Sequence, residues 1–438
     1  ILFLGYYAAE KGERQMAWYE EAVFYHIYPL GLLGAPELND HSQPVHRLPE
    51  LKEWVNHMKA CGFTALYLGP CFSSGSHGYD TEDYRRLDER LGDNEDLKDL
   101  VRYCHENGIH VILDGVFNHT GRGFFAFRDL KENREGSRFR NWYCNVNFWG
   151  NNEYNDGFSY ENWGGYDLLV KLNQRNPEVK DYICDVIRYW VSEFDVDGIR
   201  LDAADVLDFD FMKALRHVAN EVKPEFWLMG EVIHGDYIRW ANAETLHSVT
   251  NYHLHKALFS GYNDHNFFEI AHTVKRLNDM CGGVFKLYTF VDNHDVERIM
   301  SKLSTPKGFV PVHILLYTLP GIPSIYYGSE FGVEGEKQKF SDDNLRPCLE
   351  LSDYKDAYKE NEILEIQKTI TAFPVPYASA DIIIWGFDNG SRFWVGENWI
   401  GRGLLRKSQK EVMLPIVDEY TGTTVFVPGE EFLPIKDI

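Results

Sequence analysis

Leu51, Trp54, Val55 and Met58 fall at i, i+3, i+4 and i+7, which turns one apolar face inward every 3.6 residues and predicts a helix. Gly62 stands where a helix-ending glycine belongs, and the apolar run Phe63–Leu68 after it predicts a buried strand. The unit then returns. Leu97, Leu100, Val101 and Cys104 form a second helical stripe, Gly108 stops it, and Ile109–Leu113 is the next strand. Ile183, Val186, Ile187 and Trp190 precede a strand around Gly198–Leu201, and a helix near Phe211–Ala219 leads to Phe226–Met229. Further strands are expected at Val23–Tyr28, Ser248–Tyr252, Leu287–Val291 and Pro323–Tyr326. Strands buried on both faces and alternating with helices make a parallel sheet. The array fits an α/β (β/α)8 TIM barrel better than an open sheet.

Two stretches break this rhythm. Between Thr120 and Trp163 the chain turns to Gly, Asn, Arg and aromatics with no helical period, too long for an ordinary loop. It predicts a small subdomain set over the barrel mouth. After about Thr371 the texture becomes all-β. Ile382–Phe387, Asp388-Asn389-Gly390 and Phe393–Val395 read as a hairpin, and Val412–Ile416 and Thr423–Val427 continue it into a C-terminal β-sandwich. The expected organisation is barrel over 1–119 and 164–370, an inserted lid over 120–163, and a β domain over 371–438.

Composition removes several functions. Lys and Arg total 44 against 67 Asp and Glu, a net charge of −23, so binding to a phosphate backbone would oppose the global field. No nucleic-acid partner is expected. No apolar run approaches the roughly 20 residues of a membrane span, so no membrane partner is expected either. Seven cysteines without a CxxC pair fit a reducing compartment. Ile1–Ala9 is apolar but lacks a basic leading segment and a clean cleavage site. A cytoplasmic protein starting naturally at Met16, monomer or homodimer, is the expectation. Aromatics at 15% are in excess, and a sugar cleft would use them, since the C–H face of a pyranose stacks on rings.

The chemistry lies at the strand ends. Asp114 closes Val111–Leu113, Asp202 closes Gly198–Leu201, Glu231 closes Leu228–Gly230, and Asp295 follows Phe290–His294. Barrel active sites sit at the C-terminal ends of strands, so these acids converge on one mouth. Converging carboxylates serve either to ligate a metal for enolate chemistry or to act as nucleophile and acid in glycoside hydrolysis. The metal route needs a lysine or histidine base opposite, and no lysine stands at a strand end. Arg200, two residues before Asp202 on the same strand face, would keep a nucleophilic carboxylate ionised, which favours glycoside chemistry.

Asp114-Gly-Val-Phe-Asn118-His119, Gly198-Ile-Arg200-Leu-Asp202, Gly230-Glu231-Val232 and Phe290-Val-Asp-Asn-His294-Asp295 resemble, in order, the four signature segments of the α-amylase family of glycoside hydrolases. His77-Gly78-Tyr79-Asp80, Leu172-Asn173 with Asn176-Pro177-Glu178, and Pro320–Pro323 with Tyr326-Tyr327-Gly328 resemble further family segments. The resemblance implies Asp202 as nucleophile, Glu231 as acid/base and Asp295 as transition-state stabiliser. It also implies Arg200, His119, His294 and Tyr79 in the subsite of the reacting sugar. Asp114 would hydrogen-bond in support of the mouth. Asp80 with Arg346 would close the glycone side and favour chain ends. The implied activity is retaining cleavage of α-1,4-glucosidic bonds in maltooligosaccharides or starch-derived α-glucans, with transglycosylase, α-glucosidase and cyclomaltodextrinase as alternatives. No cofactor is required.

Departures narrow the branch. Calcium-dependent members carry Lys-His three positions after the nucleophile, whereas this chain has Asp205-Val206, leaving Asn118 as the one counterpart of a calcium ligand. Ala203–Val206 and Asn251-Tyr252 look more like the neopullulanase, cyclomaltodextrinase and maltogenic amylase branch. Trp142, Tyr143, Phe148, Trp149, Tyr154 and Trp163 are expected to divide into one or two sugar platforms and packing for the rest. His26 and His110 read as satisfied core histidines, and the cysteines as inert small hydrophobes. A non-catalytic binding relative would have no use for Asp202, Glu231 and Asp295 together, so an enzyme is the better reading.

Overall fold

The computed structural model describes residues 17–282, 285–339 and 341–354, together with the strands Met413–Val417 and Thr424–Pro428. Eight parallel strands form one sheet: β1 (Phe24–Ile27), β2 (Ala65–Leu68), β3 (His110–Gly115), β4 (Gly198–Leu201), β5 (Trp227–Gly230), β6 (Ser248–Val249), β7 (Tyr288–Phe290) and β8 (Ile322–Tyr326). They pair in chain order from β1 to β6, while β8 joins β1 to β7. A parallel bridge between Thr250 and Tyr288 closes the ring, with the Asn251 amide donating to the Tyr288 carbonyl at 2.8 Å. Every expected barrel strand is present within two or three residues of its expected ends.

Period-2 alternation divides each strand between two cores. Phe24, Ala65, Tyr67, Ile112, Trp227, Met229, Tyr288, Phe290 and Ile322 fill the barrel interior. Tyr25, Ile27, Leu66, Leu68, Val111, Leu113, Ile199, Leu201 and Leu228 pack outward under the helices. The same alternation carries Asp114 inward after Ile112, and Arg200 and Asp202 inward after Gly198. The helical stripes appear as α1 (Leu51–Cys61), α2 (Asn94–Glu106), α3 (Pro177–Phe194) and α4 (Phe209–Val222). Gly62 ends α1 in the left-handed region, φ +81°, with its amide on the Lys59 and Met58 carbonyls. Asp93 starts α2 with a capping box, and Asn176 followed by Pro177 starts α3. Below the barrel a short helix, Trp18–Glu21, lays Trp18 flat on His110, ring centroids 4.2 Å apart.

The stretch after β3 forms a lid built as an antiparallel sheet of His119–Thr120, Asn162–Trp163 and Tyr166–Lys171. Two expectations are corrected here. The stretch does contain a helix, Phe125–Asn133, whose buried face is only Ala126, Phe127 and Leu130, too brief a stripe to stand out from the surrounding aromatics. The lid sheet also runs past Trp163 to Lys171, because Tyr166–Lys171 must fold back to pair with His119–Thr120. A hairpin of Phe72–Ser74 with Thr81–Leu87 was not anticipated. Met413–Val417 and Thr424–Pro428 pair antiparallel, each one residue along from its expected position. The remainder of the expected β-sandwich, including Ile382–Phe387 and Phe393–Val395, lies outside the described residues.

Candidate active site

One guanidinium organises the mouth. Arg200, buried at the end of β4, places Nη1 2.8 and 3.0 Å from the two oxygens of Asp114 and 3.0 Å from Oδ1 of Asp202. Its Nη2 lies 2.8 Å from Oε2 of Glu231. The arginine is buried at the cost of desolvation, and the surrounding acids hold its proton firmly. The Ala203 amide donates to Oε2 of Glu231 at 3.3 Å, and the Tyr252 hydroxyl to Oε1 at 3.1 Å.

Asp114 is spoken for inside the barrel. Besides Arg200, its Oδ2 accepts from the Tyr67 hydroxyl at 2.7 Å and the Tyr79 hydroxyl at 3.1 Å, and its side chain has no exposed surface. These bonds tie it to Arg200 and Tyr79, and its carboxylate presents no free surface to a ligand. Tyr67 has no place in the sequence reading. The signal for it was a lone phenol on the inward face of an aliphatic strand.

A second cluster stands across the mouth. His294 Nε2 lies 3.0 Å from Oδ2 of Asp295 and within hydrogen-bonding reach of the Tyr79 hydroxyl. Arg346 Nη2 is 3.0 Å from Oδ1 of Asp295, and its Nε donates to the His294 carbonyl at 3.0 Å. Burial alone would push the Asp295 carboxyl up, but His294, Arg346 and Arg200 together hold it well below the usual carboxylate range. It is an anion at neutral pH, and its side chain is a third exposed, at 34%.

Asp202 behaves in the opposite way. Burial drives its carboxyl well above the ordinary value. Arg200 pulls it down, but Glu231, Asp114 and Asp295 add repulsion. Arg200 does not by itself offset the cost of ionising Asp202, contrary to the expectation from their shared strand face, because this guanidinium is divided among three carboxylates. The consequence is that Asp202 is the costlier of these carboxylates to ionise.

His119 sits under the lid, its Nε2 donating to the Tyr79 carbonyl at 3.1 Å, with burial lowering the imidazole to about 3, so it is a neutral donor. Trp163 lies parallel to it at 6.4 Å. Gly121 allows the lid to touch the loop carrying Asp80, since a Cβ there would lie 2.2 Å from the Asp80 carbonyl oxygen. Of the other lid aromatics, Trp142 and Tyr143 are packing, while Trp149 is 99% and Tyr154 46% exposed.

Asp80 and Arg346 hold different partners. Asp80 is buried, accepts from the Ser76 hydroxyl at 2.9 Å and faces His77, whereas Arg346 is drawn to Asp295 and to Asp342 at 3.3 Å.

The surroundings of Asn118 do not fit a calcium ion. Its carboxamide contacts Nδ1 of His119 at 3.2 Å and the amide nitrogen of Gln174 at 3.4 Å, while Ca2+ needs six to eight oxygen ligands with carboxylates among them. Among the described residues, His46, Asp93 and Asp96 form the one cluster of three acidic, cysteine or histidine groups with metal-binding spacing. Asp93 and Asp96 are already engaged in capping α2.

Comparison with known proteins agrees with this geometry. A cyclomaltodextrinase of a Bacillus species is 32% identical over 367 residues, covering 77% of this chain and 63% of that protein. A maltogenic alpha-amylase of Bacillus acidopullulyticus is 32% identical, covering 76% and 59%. The chain thus spans about three fifths of the length of these relatives. Among solved structures, the cyclic α-maltosyl-(1→6)-maltose hydrolase of Arthrobacter globiformis superposes with a TM-score of 0.72 at 26% identity, covering 82% of this chain and 83% of that one. A Thermus thermophilus protein, Ttha1563, gives 0.72 at 27%, covering 94% and 96%. Residues 50–381 match the family model described as the alpha amylase catalytic domain, and with the signature segments gathered at one barrel mouth, this chain belongs to the α-amylase family.

Proposed function

We propose that the protein is a retaining glycoside hydrolase that cleaves α-1,4-glucosidic bonds of maltooligosaccharides and starch-derived α-glucans through a covalent glycosyl-enzyme intermediate. The observation that carries this reading is the Arg200 fork, which holds Asp202 and Glu231 on one guanidinium. Two carboxyls so bridged fit the short separation, about 5–5.5 Å, of a nucleophile and its acid/base partner.

The two carboxyls divide the chemistry between them. With the proton on Glu231, the Asp202 carboxylate attacks the anomeric carbon as Glu231 protonates the departing glycosidic oxygen. Glu231, now an anion, takes a proton from water, whose oxygen displaces Asp202 and restores the pair. Asp295, anionic and partly exposed, accepts hydrogen bonds from sugar hydroxyls that tighten as positive charge develops on the ring, which is differential binding of the transition state. Tyr79, held from both sides by Asp114 and His294, offers its ring as the floor for that sugar. Relatives named cyclomaltodextrinase make cyclic dextrins the second substrate class. Intracellular maltogenic amylase, the name of a Bacillus subtilis relative, supports a cytoplasmic location.

Asp202→Ala is expected to abolish turnover with the fold retained, and azide to restore part of it as an inverted glycosyl azide. Full activity in that variant would sink the assignment. Product analysis on maltoheptaose, soluble starch, pullulan and cyclodextrin fixes the substrate.

A further inference from the structure

His26 is the one imidazole on the inner face of β1, and it is not the satisfied core residue its place on a strand suggested. It is buried, and its Nε2 has no hydrogen-bond partner. On one side it stacks on Tyr67 with ring centroids 4.0 Å apart, and Tyr67 bonds Asp114. On another it meets His294 edge to face at 5.2 Å, an interplanar angle of 87°. Nδ1 of His294 is also buried without a partner. Two orphaned ring nitrogens therefore belong to adjoining rings, in a region where each unmet polar atom costs stability.

The donor and acceptor inventory assigns their roles. A neutral imidazole carries one N–H and one bare nitrogen. Nε2 of His294 faces an Asp295 carboxylate oxygen at 3.0 Å, which can only accept, and the Tyr79 hydroxyl, whose own proton goes to Asp114. Nε2 must therefore carry the hydrogen, and in the neutral ring Nδ1 is then an acceptor in need of a donor. Burial, with Arg200 adding to it, keeps His26 neutral, so it has one N–H to give.

We propose that His26 is a positioning residue for His294: its Nε2–H donates through one water molecule to Nδ1 of His294, and so fixes the tautomer that presents Nε2–H to Asp295. Through Tyr67 the same ring braces the Asp114–Arg200 arm, so one side chain on β1 registers the two halves of the mouth against each other. Tyr326, paired with His26 across β1 and β8, also has an unpartnered hydroxyl and is the competing donor.

This inference rests on the glycosidase reading of the site, and the wild-type rate on maltoheptaose separates the two: an inactive wild type defeats that reading, whereas an active one lets the variants judge His26. His26→Phe keeps the stack on Tyr67 and removes the N–H. It is expected to lower kcat about tenfold to a hundredfold, the scale usual for a group that orients another, with KM within about twofold. His26→Gln restores a donor and should recover most of kcat, and Tyr326→Phe should leave it unchanged. Equal losses in Phe and Gln, an unimpaired Phe variant, or a Tyr326→Phe loss matching His26→Phe would each overturn the proposal. Neutron diffraction from the wild type needs no variant to fold. A deuteron on Nε2 of His26 with none on Nδ1 of His294 is expected, and a deuteron on Nδ1 of His294 would refute the assignment.

Discussion

Single carboxylates in this protein carry opposite energetic signs, and Asp202 is the costly kind. Its folded-state pKa lies above the unfolded value of 3.8 because burial and three neighbouring acids outweigh its share of Arg200. Above that value the folded protein binds more protons here than the unfolded chain, so the residue subtracts stability as pH rises towards the folded pKa. Asp202→Asn removes the charge and leaves Arg200 its bonds to Asp114 and Glu231. Thermal denaturation at pH 7 should show the inactive Asn variant melting about 2 °C or more above wild type, with the gap closing below about pH 4. A lower midpoint at pH 7 would mean that the Arg200 contact outweighs burial. The sequence displayed every member of this cluster but not the division of one guanidinium among three acids. That division depends on strand register, which sets Asp114 opposite Arg200 in neighbouring strands.

Between elements, the same residue type works the other way at the bottom of the barrel. Asp197, just before β4, accepts from the Val111 amide of β3 and from Lys223 after α4, each at 2.8 Å, and lies 2.8 Å from Nε2 of His105 in α2. Burial alone would raise its pKa, but His105, His110, Lys223 and the Val111 amide bring it well below the ordinary carboxylate range. Its stabilisation is thus present above the unfolded pKa and is lost as pH falls through that range and below. Asp197→Asn should cost about 2–3 kcal/mol at pH 7. That is less than the roughly 3–5 of a fully buried broken pair, since Lys223 and His105 are partly exposed. Denaturant titration measures it, and a difference that persisted undiminished at pH 2 would contradict the ionic origin. The helices and strands meeting at Asp197 were all readable from apolar periodicity, but nothing in that periodicity says which polar side chain ties them together.

For the whole molecule, the question is what holds the lid on the barrel. Protein contacts do so at several points: His119 pairs with Lys171, the Leu172 amide donates to the Asn118 carbonyl at 3.0 Å, Gln174 joins the Asn118 carboxamide to the Asp208 amide, and the Trp142 indole donates to Glu178 of α3 at 2.8 Å. With that carboxamide engaged by His119 and Gln174, activity on maltoheptaose should survive EDTA within about twofold, the margin of an ordinary replicate assay rather than the large loss that removal of a folding-coupled ion produces. A large loss restored by calcium would show that oxygen ligands assemble elsewhere. Among the described residues no helix is long and apolar enough to cross a membrane.

The sequence by itself determined the barrel, its eight strands and the acids at their ends, because a repeated local pattern needs only 3.6- and 2-residue periodicity to be legible. It missed the lid helix and the Phe72–Ser74 hairpin, where few apolar positions or short strands give that periodicity nothing to act on. Side-chain partnership was decided by the tertiary structure alone. Arg346 ties Asp295 to Asp342, partners that its place in the chain does not announce. His26 looked like filler, yet it stands between Tyr67 and His294 with a free nitrogen. Hydrogen bonds and ion pairs act over a few ångströms between residues far apart in the chain, and only closure of the barrel brings them within that distance.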